Sequence, residues 1–332
     1  MQEYINERLA GSAAATTLDK RIRFLVDLAK QFPEATNFSF LNNIKEVSDR
    51  INRSDNVNTQ WVSLWHVLMA INSDPAVVSA DAKRFYKKFA DELKVKRDAK
   101  NDNNVATARQ STALENSLAN YQEELRKLIS NLFSSNGFEY APFKAAEIKS
   151  LKSSFINELQ DLIILALFLY QPALRNDWAD LHVTSRKTGL EPQKNYIYIK
   201  GKLMQLIMRT YKTDRHMGEQ VINIRPELVK LLKIWLPIVK KRAGDKLAKP
   251  FMYTINSKQF EHIVNGDAMR RKIPRISGRV LGIDLSINDY RVLWETAIQS
   301  DPGYQQLTVA EKKKLHHELL HGIDISIYYK KI

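Results

Sequence analysis

The apolar residues of this chain fall into two blocks, and the stretch between them decides how it can fold. From residue 94 to residue 112 the only large apolar side chains are Val95 and Val105, in a run that begins Lys94-Val-Lys-Arg-Asp-Ala-Lys-Asn-Asp-Asn-Asn. A hydrophobic core cannot continue through such a stretch, because its apolar area is too small to offset the entropy of ordering it. With 332 residues, 44% of them hydrophobic, the chain has enough apolar material for a core on each side. The expected organisation is a helical domain over 1–93, a linker over 94–112 and a second domain over 113–332. The stretch contains neither Pro nor Gly, so the exposed end of a long helix is the competing reading of it.

The first block is helical by period. Leu18, Ile22, Leu25, Val26, Leu28 and Ala29 recur at helical spacing. A second helix is predicted over 38–51. A third begins near Thr59 as N-cap, carries Trp61, Leu64, Trp65, Leu68, Met69 and Ile71, and stops at Ser73-Asp-Pro. A fourth runs from Ser79 through Phe85, Tyr86 and Phe89 to Leu93. Four amphipathic helices predict a compact bundle. In the second block, helices are predicted over 114–133 and within 148–170. The period then changes to two in Asn195-Tyr-Ile-Tyr-Ile-Lys, and again in Glu219-Gln-Val-Ile-Asn-Ile, with a further strand over 203–211 between them. Helices resume after Pro226. The fold class expected is mainly α with a small antiparallel β-sheet, an α+β arrangement.

Charge narrows the partners. Lys and Arg number 51 against 37 Asp and Glu, a formal net charge of +14, which favours a polyanion and foremost a nucleic acid. The longest greasy run, Leu162 to Tyr170, is far short of the roughly 18 residues of a membrane span and reads as a buried helix. The N-terminus, Met-Gln-Glu-Tyr-Ile-Asn-Glu-Arg, lacks the pattern of a signal peptide, and a soluble intracellular protein with no membrane partner is expected. There is no cysteine, which removes disulfides, Cys-based zinc sites and thiol catalysis. No glycine-rich phosphate loop, His-Glu-x-x-His or Gly-x-Ser-x-Gly is present, so kinase, metalloprotease and hydrolase readings lose ground. His317 and His321 have i, i+4 spacing, but no third ligand at a convincing interval accompanies them.

What remains is a dispersed set of phosphate-compatible groups: Arg175 after the apolar helix, Lys212 where a strand meets a turn, Asn288 three residues before Arg291, then His321, Tyr328 and Tyr329. Singly these are uninformative; their order is not. Leu169-Tyr-Gln-Pro-Ala-Leu-Arg175-Asn-Asp-Trp-Ala-Asp-Leu181 resembles the first arginine box of the tyrosine recombinases, the phage integrase family. Tyr211-Lys212-Thr213 resembles their hairpin lysine, with Lys200 and Lys202 as rivals. Asn288-Asp-Tyr-Arg291 resembles their His-x-x-Arg box, with Asn in place of His. Leu319-Leu-His321 through Tyr328-Tyr329 resembles the stretch leading to the nucleophile. The resemblance covers about residues 150–332, with integrases of large DNA viruses and mobile elements nearest in feel. The interval from His321 to the tyrosines is short, and Tyr329 fits better than Tyr328.

The resemblance implies a helical core-binding domain followed by a catalytic domain, and a site-specific recombinase that cleaves and rejoins double-stranded DNA through a 3′-phosphotyrosyl intermediate. It implies four protomers on two duplexes, and chemistry that needs neither cofactor nor metal. Arg175 and Arg291 would hold the phosphate, Lys212 would protonate the leaving oxygen, and Asn288 and His321 would bond phosphate oxygens. Lys20, Arg21, Arg23, Lys83, Arg84, Lys87 and Lys88 are the candidate phosphate contacts of the first domain. Asn can donate a hydrogen bond but cannot shuttle a proton, which keeps open a DNA-binding protein of the same fold without activity. A type IB topoisomerase-like relaxing enzyme and an unrelated basic scaffold protein are the other readings. Trp178 and Trp294 are expected in the core.

Overall fold

The computed structural model describes residues 1–11, 15–102, 107–243, 249–255, 260–262 and 266–320. The chain divides into two compact units, Met1–Asn103 and Asn104–Ile332.

In the first unit the described helices are α1 (Gln2–Leu9), α2 (Ala15–Ala29), α3 (Ile44–Asn52), α4 (Val57–Ser73) and α5 (Ala80–Asp102). Their apolar faces meet in one core that includes Leu25, Leu28, Phe38, Phe40, Val47, Leu64, Val67, Tyr86 and Leu93. The buried Tyr86 hydroxyl is satisfied by the Leu41 carbonyl at 2.8 Å. Three details differ from the expectation. α1 carries only Ile5 and Leu9 inward among polar residues, too few to register as a period. Residues 38–51 are a 3-10 turn, Phe38–Asn42, followed by α3, with Asn43 between them. The cap of α4 is Asn56, whose side chain accepts from the Asn58 and Thr59 amides at 2.9 and 3.4 Å.

α5 extends to Asp102, so the first half of the polar stretch continues a long helix. A new helix, α6 (Ala108–Leu114), starts on a capping box between Thr107 and Gln110. Arg21, expected at a phosphate, is instead 3% exposed. It lies beside the buried His66, whose ring is 5.6 Å from that of Phe24. Long aliphatic stems let arginine join a core, and a helical period does not distinguish that use from a surface one.

The second unit is built around α9 (Ser153–Leu169). Every residue from Leu162 to Leu169 is buried, and a helix with no polar face must be covered on all sides. The cover comes from α7 (Leu118–Ser135), α11 (Pro226–Ala243), α12 (Gly266–Leu281), α13 (Ile287–Ser300) and the hairpin of β5 (Tyr253–Ile255) and β6 (Phe260–His262), all of which contact it or its packing partners. The buried Gln160 on α9 bonds both main-chain groups of Tyr253, at 2.7 and 3.0 Å. α8 (Ala145–Ser150) precedes α9, and α14 (Val309–His317) follows α13.

The main sheet has four strands in the order β1 (Leu181–Thr184), β2 (Asn195–Lys200), β3 (Leu203–Met208), β4 (Gln220–Asn223). The β2–β3 and β3–β4 pairs are antiparallel, as expected, but β1 lies parallel to β2, Leu181 opposite Asn195. The sheet is therefore mixed. β1 is four residues long and buries little more than Leu181, so alternation had nothing to register. The β2–β3 loop is Gly201–Lys202, with Gly201 at φ +60, the left-handed conformation a two-residue hairpin needs. α10 (Asp214–Met217) stands between β3 and β4. Among the described residues no helix is long and apolar enough to cross a membrane.

Burial and the neighbouring Arg21 push the His66 imidazole down to about 4 from 6.5. Acid therefore protonates the unfolded chain first, and this contribution to stability, full above pH 6.5, is lost as pH falls toward 4. The thermal midpoint of the first unit, followed in the intact chain, is expected to drop between pH 7.5 and 4.5. In His66→Leu the drop should be shallower, and an unchanged slope would contradict the assignment.

Candidate functional site

Where α9 ends, the chain cannot simply leave the core. Tyr170 closes the last turn on the Ala166 carbonyl at 2.9 Å, and Gln171, Ala173 and Leu174 stay buried. The Gln171 side chain accepts from the Arg225 amide at 3.0 Å and donates to the Asn223 carbonyl at 3.4 Å, tying this turn to the end of β4. Arg175 follows at the surface of the turn, half-buried, and a 3-10 turn (Asn176–Asp180) begins. Trp178 anchors that turn, buried edge-on against Phe251. Arg175 is thus held by buried neighbours on both sides while its own side chain keeps access to solvent.

Lys212 is placed by a second polar device. Asn195 at the start of β2 is buried, and its side-chain amide bonds the main chain just beyond β3. It donates to the Thr210 carbonyl at 2.7 Å and accepts from the Arg209 and Thr210 amides at 2.7 and 2.9 Å. This ends β3 at Met208, short of the strand expected over 203–211. Tyr211 then turns inward, its hydroxyl donating to the Gly218 carbonyl at 2.6 Å, and Lys212 is left exposed on the turn. Arg175 and Lys212 line the same cavity of about 570 Å³, together with Asp177, His182, Lys194 and Lys249. Lys249 pairs with Asp180 at 2.6 Å. Lys200 and Lys202 flank Gly201 on the β2–β3 hairpin, exposed and away from this lining.

Arg291 reaches the same turn from inside. α13 starts on a capping box between Ser286 and Asp289, and one turn into the helix Arg291 is 1% exposed. Its Nη1 donates to the Ala173 carbonyl at 2.6 Å. Burial pushes the Asp177 carboxyl up, and the charges of Arg175 and Arg291 both pull it back. The two guanidiniums therefore act on one carboxylate. Asn288 is exposed on the first turn of α13. Trp294 is buried, its indole donating to the Phe168 carbonyl at 2.8 Å. Both tryptophans are core residues, as expected.

His321, Tyr328 and Tyr329 lie outside the described residues. The chain is described as far as Leu320, whose carbonyl accepts from the Thr213 hydroxyl at 2.8 Å. The last described residue before His321 is thus bonded to the residue after Lys212. The segments bearing Arg175, Lys212 and Arg291 are joined here by the shared cavity and the Arg291 hydrogen bond, and the fourth box is described up to its leucines.

Sequence reasoning passed over Asp177, His182 and Lys249. Asp177 stands inside the first box and was legible as an acid two residues after Arg175; Lys249 has no local signal. It also passed over α12, which packs on the 3-10 turn after Arg175 and carries Arg271 and Arg275 exposed at i, i+4 spacing. A cluster of this kind can grip a phosphodiester, since each charge-assisted hydrogen bond contributes on the order of 1.5–3 kcal/mol.

No family model matches the chain, and no curated protein matches it. Among solved structures it is similar to one described as the crystal structure of XerA recombinase, with 10% sequence identity over 100% of this chain and 92% of that one and a TM-score of 0.38.

The burial of the cations predicts different costs. Arg291→Ala removes a buried side chain and leaves the Ala173 carbonyl without its donor, and is expected to lose about 2–4 kcal/mol in urea unfolding. Lys212→Ala, at an exposed position, should change stability by under about 0.5 kcal/mol. Equal losses in the two variants would contradict this placement.

Proposed function

We propose that this protein is a DNA strand transferase of the tyrosine-recombinase type, cutting and rejoining duplex DNA through a 3′-phosphotyrosyl link. The observation that carries the reading is the meeting of Arg175 and Lys212 on one cavity with Arg291 bonded to the turn that bears Arg175. A phosphodiester is a charged, poor electrophile. Guanidinium groups offset the charge that gathers on its non-bridging oxygens as the phosphorus becomes five-coordinate. Arg175 meets the phosphate from the cavity. Arg291 orients the Ala173–Arg175 turn and adds its positive charge from beneath.

In the proposed step the Tyr329 phenol oxygen forms a bond to phosphorus and the bond to the 5′ oxygen breaks. Lys212 gives its proton to that leaving oxygen, and the phenol proton passes through His321 or solvent. Tyrosine is a weak nucleophile near neutral pH, with an ordinary pKa of about 10, and the surrounding cations favour its phenolate. The phosphotyrosyl bond keeps the energy of the diester, so attack by a second 5′ hydroxyl reverses the step on a new partner. Four protomers on two duplexes would complete an exchange. Relaxation of one duplex in the manner of a type IB topoisomerase would need no paired site, which separates these two outcomes.

Two observations favour a second reading, a DNA-binding protein of this fold that does not cut. Asn288 replaces the histidine of the family box, and Arg291 is almost wholly buried. Both readings use the same DNA surface. In the second unit the candidate phosphate contacts are Lys212, Lys249, Arg271 and Arg275; the first unit has its own candidates in Lys20, Arg23, Lys83, Arg84, Lys87 and Lys88.

Covalent trapping on nicked duplexes that lose their 5′-hydroxyl fragment tests the chemistry. Wild type is expected to form an adduct stable in denaturing gels, lost in Tyr329→Phe and kept in Tyr328→Phe. The opposite pattern moves the nucleophile to Tyr328. No adduct on DNA that the protein binds selects the non-cutting reading. Lys212→Ala should slow adduct formation while Lys200→Ala and Lys202→Ala do not. Binding should weaken as salt rises, with a slope of log K on log salt near about −0.9 per neutralised phosphate; a flat response would remove the DNA surface altogether.

A further inference from the structure

A fully buried polar cluster of the second unit lies outside the cavity. His316 and Glu295 have no exposed surface, and His316 Nδ1 is 2.9 Å from Glu295 Oε1. Gln299 donates to the other carboxylate oxygen at 2.9 Å. On the far side of the imidazole, Nε2 is 2.7 Å from the Tyr304 hydroxyl. Glu295 lies one helical turn beyond Arg291 on α13, Tyr304 belongs to the connection after it, and His316 lies in the last turn of α14. Three segments are therefore joined at one ring.

Cohesion alone does not call for this arrangement. Apolar side chains of similar shape hold a core together as well as a buried ion pair or better, whereas a polar cluster of fixed bond directions tolerates one geometry. The chain just beyond His316 indicates which geometry is held. Leu319 and Leu320 are buried, and their amides bond the His316 and His317 carbonyls at 3.1 and 2.9 Å. Leu320 has φ +52, a left-handed conformation that leucine adopts only when its surroundings impose it. The carbonyl so directed is the one that accepts from Thr213, next to Lys212. Arg225 lies alongside, its guanidinium stacked 4.6 Å over Trp294 of α13 and 3.3 Å from Glu318.

We propose that His316 is a positioning residue. By bonding Glu295 and Tyr304 together it holds the Leu319–Leu320 step against the Thr213 turn, so that Lys212 and Arg291 keep one fixed separation. Its consequence for cleavage rests on the strand-transferase reading; the positioning itself does not.

The test pairs amide hydrogen exchange with the trapping assay in the full chain, using His316→Gln and the milder Tyr304→Phe, which removes one hydroxyl. Exchange at Leu319, Leu320 and the turn amides Asp214 and His216 is expected to quicken by about tenfold or more, while α9 keeps its protection. DNA affinity should stay within about twofold. Adduct formation should fall by up to about 10²-fold, the loss that a misplacement near 1 Å can cause. Unchanged exchange at Asp214 and His216 in both variants overturns the proposal, and so does a uniform rise that includes α9, which would mark a merely structural role. Quickened exchange at these amides alone, with no adduct formed even by wild type, upholds the positioning and refutes the cleavage reading.

Discussion

A helix that is apolar all round fixes the second unit. From Leu162 to Leu169, α9 offers no face to solvent, so helices and a hairpin must surround it, and the two ends of the helix are the only places where chain can emerge. Arg175 stands at one of those exits. The turn that carries it is confined by buried Gln171, Ala173 and Trp178. The position of a half-buried cation thus follows from the burial of a greasy helix several residues away, which is how a scaffold gives precision to a side chain.

The polar core adds what apolar packing does not. Gln160, Gln171, Asn195, Arg291, Glu295 and His316 are all buried, and each ties a segment boundary to something distant in sequence. Asn195 ends a strand, Gln171 binds a helix exit to a strand exit, and Arg291 joins α13 to the turn after α9. Such groups are costly when unpaired and directional when paired. Their placement at the joints between segments is what aligns the cavity.

Much of this was legible in the sequence, and the parts that were not share a cause. Period located α2, α4, α5, α7, β2 and β4 through their alternating or helically spaced apolar residues, whereas α9 and β3 were read from runs of apolar residues. It missed α1 and β1, which bury one or two residues apiece, and it put the cap of α4 at Thr59 rather than Asn56, since both are capping residues within three positions. The parallel β1–β2 pairing was out of reach: nothing within Leu181–Thr184 states the direction of a partner. For the site, the order of Arg175, Lys212 and Arg291 was readable, and the resemblance to tyrosine recombinases rests on it. That Arg21 and Arg291 lie inside was not readable, because an arginine looks the same in sequence whether its stem is buried or its head is wet. His316 carried no signal for the same reason, as its partners come from 21 and 12 residues away.

The contacts that bring the boxes together are all remote along the chain. Arg291 meets Ala173 across 118 residues, Thr213 meets Leu320 across 107, and Trp294 meets Phe168 across 126, whereas the sheet pairs within 181–223. Ordering long loops is slow compared with forming helices and hairpins. During synthesis, therefore, the helices of the first unit exist well before the contacts that align the cavity do. Only when α13 and the Leu319–Leu320 step have been made can these contacts close, so a ribosome-bound fragment that stops short of them lacks the bonds from Arg291 to Ala173 and from Thr213 to Leu320.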